Sequence, residues 1–355
     1  MGVVKLGDVA RESRLKWTKS KQDIPIVGLE HLIPDEIHFD AYDINTDNTF
    51  SKRFVKGQIL FGRRRAYQRK AAVAEFDGIC SGDITVIEAI EGKMVPELLP
   101  FIIQTPVFFD YANRGSAGSL SPRVKWEHLA DYEFELPSLE EQKVLADKLW
   151  AAYRLKEGYK KLLVATDKMV KSQFIEMFKK SEKIALGDMA TFVNGSAFKP
   201  DDWSTEGVPI VRIQNLTQDD STYNYYNGDM TKKVIIDSGD IIISWSATLG
   251  VFFWNRGRAL LNQHIFKVLF NKVNVNKEFF VYTVRLALDE MADIAHGSTM
   301  RHVVKKDFDG TMVAYPDYEE QERFASIVKQ ADKSKFELRK SIDAIDQVIK
   351  SLINN

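Results

Sequence analysis

Eight lysines and arginines fall between Lys52 and Lys70 with no acid among them, and the densest part holds Arg63, Arg64, Arg65, Tyr67, Arg69 and Lys70. Cations so concentrated displace counterions from a phosphate backbone, and arginine can donate two parallel hydrogen bonds to guanine. A tyrosine among them can pack on sugars or bases. The plainer account is a solvated basic strand edge that resists aggregation. A second group comprises Arg114, Ser116, Ser119, Arg123 and Lys125, answered later by Ser298, Thr299, Arg301 and Lys305. Small hydroxyl-bearing turns expose N–H and O–H groups that suit phosphate oxygens, although one such turn commonly just closes a helix. Its recurrence with a following arginine favours contact. A third group is Arg212, Gln214 and Asn215 after a predicted strand, with Ser244, Ser246 and Thr248 in a turn and Gln263 and His264 further on. Glutamine and asparagine can pair bidentately with adenine, but ordinary surface strands carry them too.

All of this is binding chemistry. Asn262-Gln-His264 has no apposed nucleophile, and the six histidines form no ligand-spaced cluster, so no metal site is expected with a single cysteine. No Gly-x4-Gly-Lys-Ser/Thr phosphate loop and no Gly-x-Gly-x-x-Gly fingerprint occur. No Pro-Pro dipeptide occurs either, which removes the Asn/Asp-Pro-Pro-aromatic motif of amino-methyltransferases. The expectation is a protein that is not an enzyme and binds no cofactor itself. Hydrophobic content of 45% and charged content of 28% suit a globular protein. No run approaches the roughly eighteen apolar residues of a membrane span, and the N-terminal segment lacks a secretion signal. Cys80 alone excludes an intrachain disulfide framework and suits a reducing cytoplasm, the expected location. The formal net charge of −1 implies modest nucleic-acid affinity for the chain alone and help from a charged partner.

The elements that position these groups come in two copies. Leu6-Gly-Asp-Val-Ala10 returns as Leu186-Gly-Asp-Met-Ala190, and Pro25-Ile-Val27 as Pro209-Ile-Val211. Gly57-Gln-Ile-Leu60 answers to Gly239-Asp-Ile-Ile242, Gly115-Ser116 to Gly297-Ser298, and Glu140-Glu-Gln142 to Glu319-Glu-Gln321. The offsets are 180, 184, 182, 182 and 179, in constant order, which marks a duplication. Each copy begins with short β segments, such as 59–61, 84–87, 234–236, 241–245 and 265–269. Helical patterns follow at 97–112 and 277–295, and then one long helix opens after Pro137 or Pro316 with glutamates in its first turn.

The long helices carry a seam. Phe324, Val328, Ala331, Lys335, Leu338, Ile342, Ile345, Ile349 and Leu352 alternate spacings of four and three, a coiled-coil repeat of about 3.5 residues. Shifted by 179, the register gives Leu145, Leu149, Ala152, Lys156, Tyr159, Leu163, Thr166, Val170 and Gln173, with a lysine in the same slot. Unpartnered, each stripe would be exposed, so the helices are expected to pair antiparallel as a rod of roughly 55 Å. The competing account packs each helix on its own domain.

With Leu186-Gly-Asp188, Gly239–Ser246, Leu261-Asn-Gln-His-Ile-Phe266, Gly297-Ser-Thr299 and the repeated Pro-x-x-Glu-Glu-Gln, the chain resembles the specificity subunit of a type I restriction–modification system over its whole length. The first copy departs where Phe61-Gly-Arg-Arg-Arg65 replaces Ser-Trp-Ser and Cys80-Ser-Gly-Asp83 stands for Leu261-Asn-Gln-His264. The resemblance implies an α+β fold of two similar mixed target-recognition domains, 1–136 and 181–315, separated by an antiparallel coiled coil of helices 137–180 and 316–355. It implies that each domain reads half of a bipartite double-stranded DNA target and that the helices set the spacer. It also implies two modification (methyltransferase) subunits and restriction subunits as partners, with S-adenosylmethionine, ATP and magnesium bound there. A coiled-coil scaffold that does not read DNA is the alternative.

Overall fold

The computed structural model describes residues 2–118, 120–218, 221–294 and 304–354. They fall into two compact units, Met1–Lys161 with Arg339–Asn355, and Leu162–Leu338. These limits differ from the four blocks read off the sequence because each long helix, Leu139–Phe178 and Tyr318–Asn354, is divided between the units.

The same architecture is built in both. In the first unit an antiparallel sheet runs in the order Ala10–Glu12, Ile84–Ala89, Ile59–Gly62, Ala71–Val73. In the second the order is Thr191–Asn194, Ile265–Leu269, Ile241–Ser244, Gly250–Phe253. Beside it lies a second sheet containing one parallel pair, Val27 opposite Cys80 in one copy and Val211 opposite Leu261 in the other. The side chains of each central strand alternate between two cores, which explains its run of apolar residues. Ile59 and Phe61 enter one core and Leu60 the other, as Ile241 and Ile243 are separated from Ile242. A two-stranded ribbon closes each domain, Gly2–Lys5 with Glu133–Leu136 and Lys183–Ala185 with Met312–Ala314. The repeated Leu-Gly-Asp turn fits beneath it. A Cβ on Gly7 would lie 2.9 Å from that of Ala130, and one on Gly187 3.0 Å from that of Asp309. A side chain at Gly7 would force Ala130 to shift, and one at Gly187 would crowd Asp309.

One predicted helix divides. The segment 97–112 is two helices, Leu99–Ile103 and Pro106–Arg114, whereas its counterpart runs unbroken over Lys277–Ile294. Pro106 has no N–H to continue the first helix and holds Thr105 extended, where its hydroxyl accepts from the Phe108 N–H.

The long helices start where expected. Ser138 and Glu141 cap each other's N–H groups at the first. Glutamine, rather than glutamate, ties each helix to its domain. The Gln142 side chain accepts from the Val95 N–H and donates to the Pro137 carbonyl, and Gln321 does the same with Asn276 and Pro316. Both are buried. The seam residues Leu145, Leu149, Tyr159, Leu163, Val170, Phe324, Val328, Leu338, Ile342, Ile345 and Ile349 are all buried or half-buried. In the first unit Ile349, Leu352 and Ile353 pack on a core shared with Leu145 and Leu149. In the second, Phe174 and Phe178 meet Phe324 at ring separations of 5.2 and 5.5 Å. Helix pairing and packing on the domain therefore occur together, where the sequence reading set them as alternatives.

Candidate nucleic-acid interface

Both central strands end in the same turn. After Ile59–Gly62 the chain bends at Arg65 (φ 56°), and after Ile241–Ser244 at Ala247 (φ 58°), 182 positions on. A non-glycine residue in the left-handed region is strained, so the geometry of this turn is imposed by its surroundings. In both copies the turn is held to the neighbouring connection. The Arg63 N–H donates to the Asp83 carbonyl at 2.9 Å and the Trp245 N–H to the His264 carbonyl at 3.4 Å. The correspondence between 61–65 and the Ser-Trp-Ser stretch, and between Asp83 and His264, is thus a spatial one.

In the first unit a third segment is sewn on. Arg65 N–H donates to the Pro122 carbonyl, and Val124 N–H to the Arg63 carbonyl. Arg63 Nε returns to the Val124 carbonyl at 3.1 Å. Arg64 and Arg123 face each other across an antiparallel bridge and share one carboxylate. Asp83 Oδ1 lies 2.7 Å from Arg123 Nε, and Oδ2 3.4 Å from Arg64 Nη1. Arg64 also donates to Ser121 Oγ at 3.0 Å. Burial pushes the Asp83 carboxyl up, but Arg123 and Arg64 outweigh it and hold it below the usual carboxylate range.

The run free of acids in sequence is not free of them in space. Lys52 meets Glu12, Arg53 Asp77, Lys56 Glu75, Arg64 Asp83 and Arg69 Asp35, all from outside the run. Lys70 donates to the Leu29 carbonyl. Among the described residues Arg63 and Arg65 are the arginines of the run with no carboxylate at ion-pair distance. Tyr67 beside them is 54% exposed, Arg114 is exposed at the end of the helix Pro106–Arg114 and Lys125 just after the stitched segment, and Ser116 is half-buried. The cationic surface is thus narrower than the sequence suggests.

In the second unit Gln214, Thr248, Gln263 and Lys305 are exposed, and His264 is half-buried against the Trp245 ring at 5.5 Å. Lys305 pairs with Asp309 at 2.5 Å, and Arg212 bonds Asn224 at 3.1 Å while covering Trp203. Three expected contacts are corrected. Asn215 is fully buried, accepts from the Arg212 N–H and donates to Ser221 and Thr222. It is the counterpart of His31, which accepts from the Gly28 N–H in the first copy, so it closes a turn that both domains need. Ser244 is fully buried and donates to the Thr248 carbonyl at 2.6 Å, and Ser246 is buried beside it, so both shape the turn from inside. Ser119, Ser298, Thr299 and Arg301 lie outside the described residues. Asp83 and Gln142 are the residues that sequence reasoning passed over. The recurrence of Gln142 as Gln321 is legible in the sequence but not its anchoring role, whereas nothing in the sequence links Asp83 to Arg64 and Arg123. Among the described residues no group of three His, Cys, Asp or Glu side chains is placed to hold a metal ion.

Two copies of one mixed domain, each presenting polar or cationic turns from the same place in its sheet and each seated on long helices, define a class of duplicated recognition protein. The chain belongs to the type I restriction modification DNA specificity domain family, whose sequence pattern matches residues 1–163 and again 179–347. It is therefore a specificity subunit of a type I restriction–modification system. It is 23% identical over 376 residues to a protein assigned as the MjaX type I restriction enzyme specificity subunit of Methanocaldococcus jannaschii, covering 96% of this chain and 87% of that protein. Two solved structures share the fold. A chain of a type I R-M system, from work on its complex assembly and conformational transition, is 16% identical with a TM-score of 0.61, covering 99% of this chain and 96% of that one. The S subunit from M. genitalium is 12% identical with a TM-score of 0.56, covering 99% and 94%.

Proposed function

We propose that each domain of this specificity subunit reads one half of a bipartite double-stranded DNA target and that the chain performs no chemistry on it. The observation that carries this reading is the shared turn after the central strand, which bears Arg63 and Arg65 in one copy and Ala247 and Thr248 in the other. One frame with two different polar faces suits two different half-sites. The first domain offers guanidinium groups and Tyr67, which favour phosphate and guanine. The second offers Gln214, Thr248, Gln263 and His264, which favour base edges with less charge.

Two modification subunits bind the chain, matching its two copies, and restriction subunits join them. Those partners hold S-adenosylmethionine, ATP and magnesium, and the complex methylates adenine in each half-site. The compartment is the cytoplasm, where the DNA is. Methylome sequencing of cells with and without the gene tests the reading. A bipartite methylated-adenine motif that disappears with the gene is expected. An assembled complex that shifts no duplex would favour the scaffold reading instead.

A further inference from the structure

We propose that Asp83 is a positioning residue that sets the specificity of the first domain, acting as an internal counter-ion that keeps Arg64 and Arg123 from binding phosphate indiscriminately. The inference rests on the reading of this face as a DNA surface and adds a regulator to it. Two arginines project from different segments, 64 from the turn after the central strand and 123 from the strip stitched to it, and both are more than a third exposed. Left alone, two adjacent guanidinium groups repel each other and attract any phosphate. The Asp83 carboxylate, only 20% exposed, lies between them within 2.7 and 3.4 Å.

That arrangement has two effects. It cancels part of the charge that would drive sequence-independent binding. It also fixes the separation of the two segments, with Arg64 further held by Ser121, so that Arg63, Arg65 and Tyr67 are presented in one geometry. The corresponding position in the second domain is His264, where Trp245 and Ser246 stand in the turn in place of Arg63 and Arg64. The acid stands where the turn carries Arg64, and a histidine where it carries Ser246.

The sign of the effect separates this role from simple support. The test uses the full chain assembled with its modification subunits and compares three variants for binding to cognate duplex, duplex scrambled in one half-site and unrelated duplex across a salt series. In Asp83→Asn the backbone carbonyl that holds Arg63 is retained. Affinity for unrelated duplex is expected to rise several-fold, and the slope of log affinity against log salt to steepen by up to about 2, one phosphate for each freed guanidinium. Discrimination against duplex scrambled in the first domain's half-site is expected to fall about tenfold, with the other half-site unaffected. Asp83→Glu keeps the charge and should retain the wild-type salt slope.

If Asp83→Asn weakens binding to every duplex, or leaves unrelated duplex and slope unchanged, the counter-ion role is overturned. A steepened slope in Asp83→Glu would overturn it as well. The double variant Arg63→Gln with Arg65→Gln tests the underlying reading separately. If it leaves both affinity and discrimination unchanged, this face does not touch DNA.

Discussion

A buried amide can matter more to this protein than an exposed guanidinium. Gln142 and Gln321 occupy the same position in the two copies, and each buried side chain satisfies one backbone N–H and one backbone carbonyl. Substituting either by alanine leaves a donor and an acceptor without partners, which costs about 1–3 kcal/mol. Gln142→Ala and Gln321→Ala are each expected to lower the unfolding free energy by that amount in chemical denaturation. Since the two sites lie in different units, the effects should add. A double variant no less stable than the singles would show that the glutamines do not anchor their helices independently. The turn residues Asn215 and Ser244 belong to the same category, polar groups that serve the backbone.

Among the elements, the long helices depend on an ion pair that the duplication exchanges. Lys156 meets Asp346 at 2.6 Å in the first unit, and Lys335 meets Asp167 at 2.9 Å in the second. An offset of 179 carries Lys156 to Lys335 and Asp167 to Asp346, so each lysine pairs with the aspartate of the other copy. The lysine side chains are only 17% and 12% exposed, which raises the value of the pairing above that of a free surface bridge. Burial pushes the Lys335 ammonium down, but Asp332 and Asp167 outweigh it and leave the lysine more basic than usual. A seam lysine also fixes register, because sliding one helix by a turn would strand its charge among apolar side chains. Lys156→Asp alone should destabilise the first unit, and adding Asp346→Lys should recover about 0.5–1 kcal/mol in a double-mutant cycle. Zero coupling would remove the pair from the account of helix register.

For the whole molecule the proposed reading predicts that half-site recognition and spacing are separable. Each long helix is shared by both units, whereas the candidate contact turns lie within one domain or the other. A four-residue insertion in the first long helix is expected to change the spacer length of the methylated motif while both half-site sequences stay the same. Altered half-sites at constant spacer would refute the division of labour.

The sequence by itself determined the duplication, several of the core strands, the starts of both long helices and the seam, because these depend on local periodicity and on motifs that recur at one offset. It also placed the family through the same motifs. Only the tertiary structure decided which polar residues remain available. The run Lys52–Lys70 is without acids in sequence, yet Glu12, Asp35, Glu75, Asp77 and Asp83 reach it from elsewhere, since charge pairing follows distance in space. Asn215 looks like a reader of adenine until burial shows it closing a turn, and Pro106 divides a helix that periodicity alone would continue. Periodic burial can be read along the chain. The partner of a single charge or amide can be known only once the chain has folded.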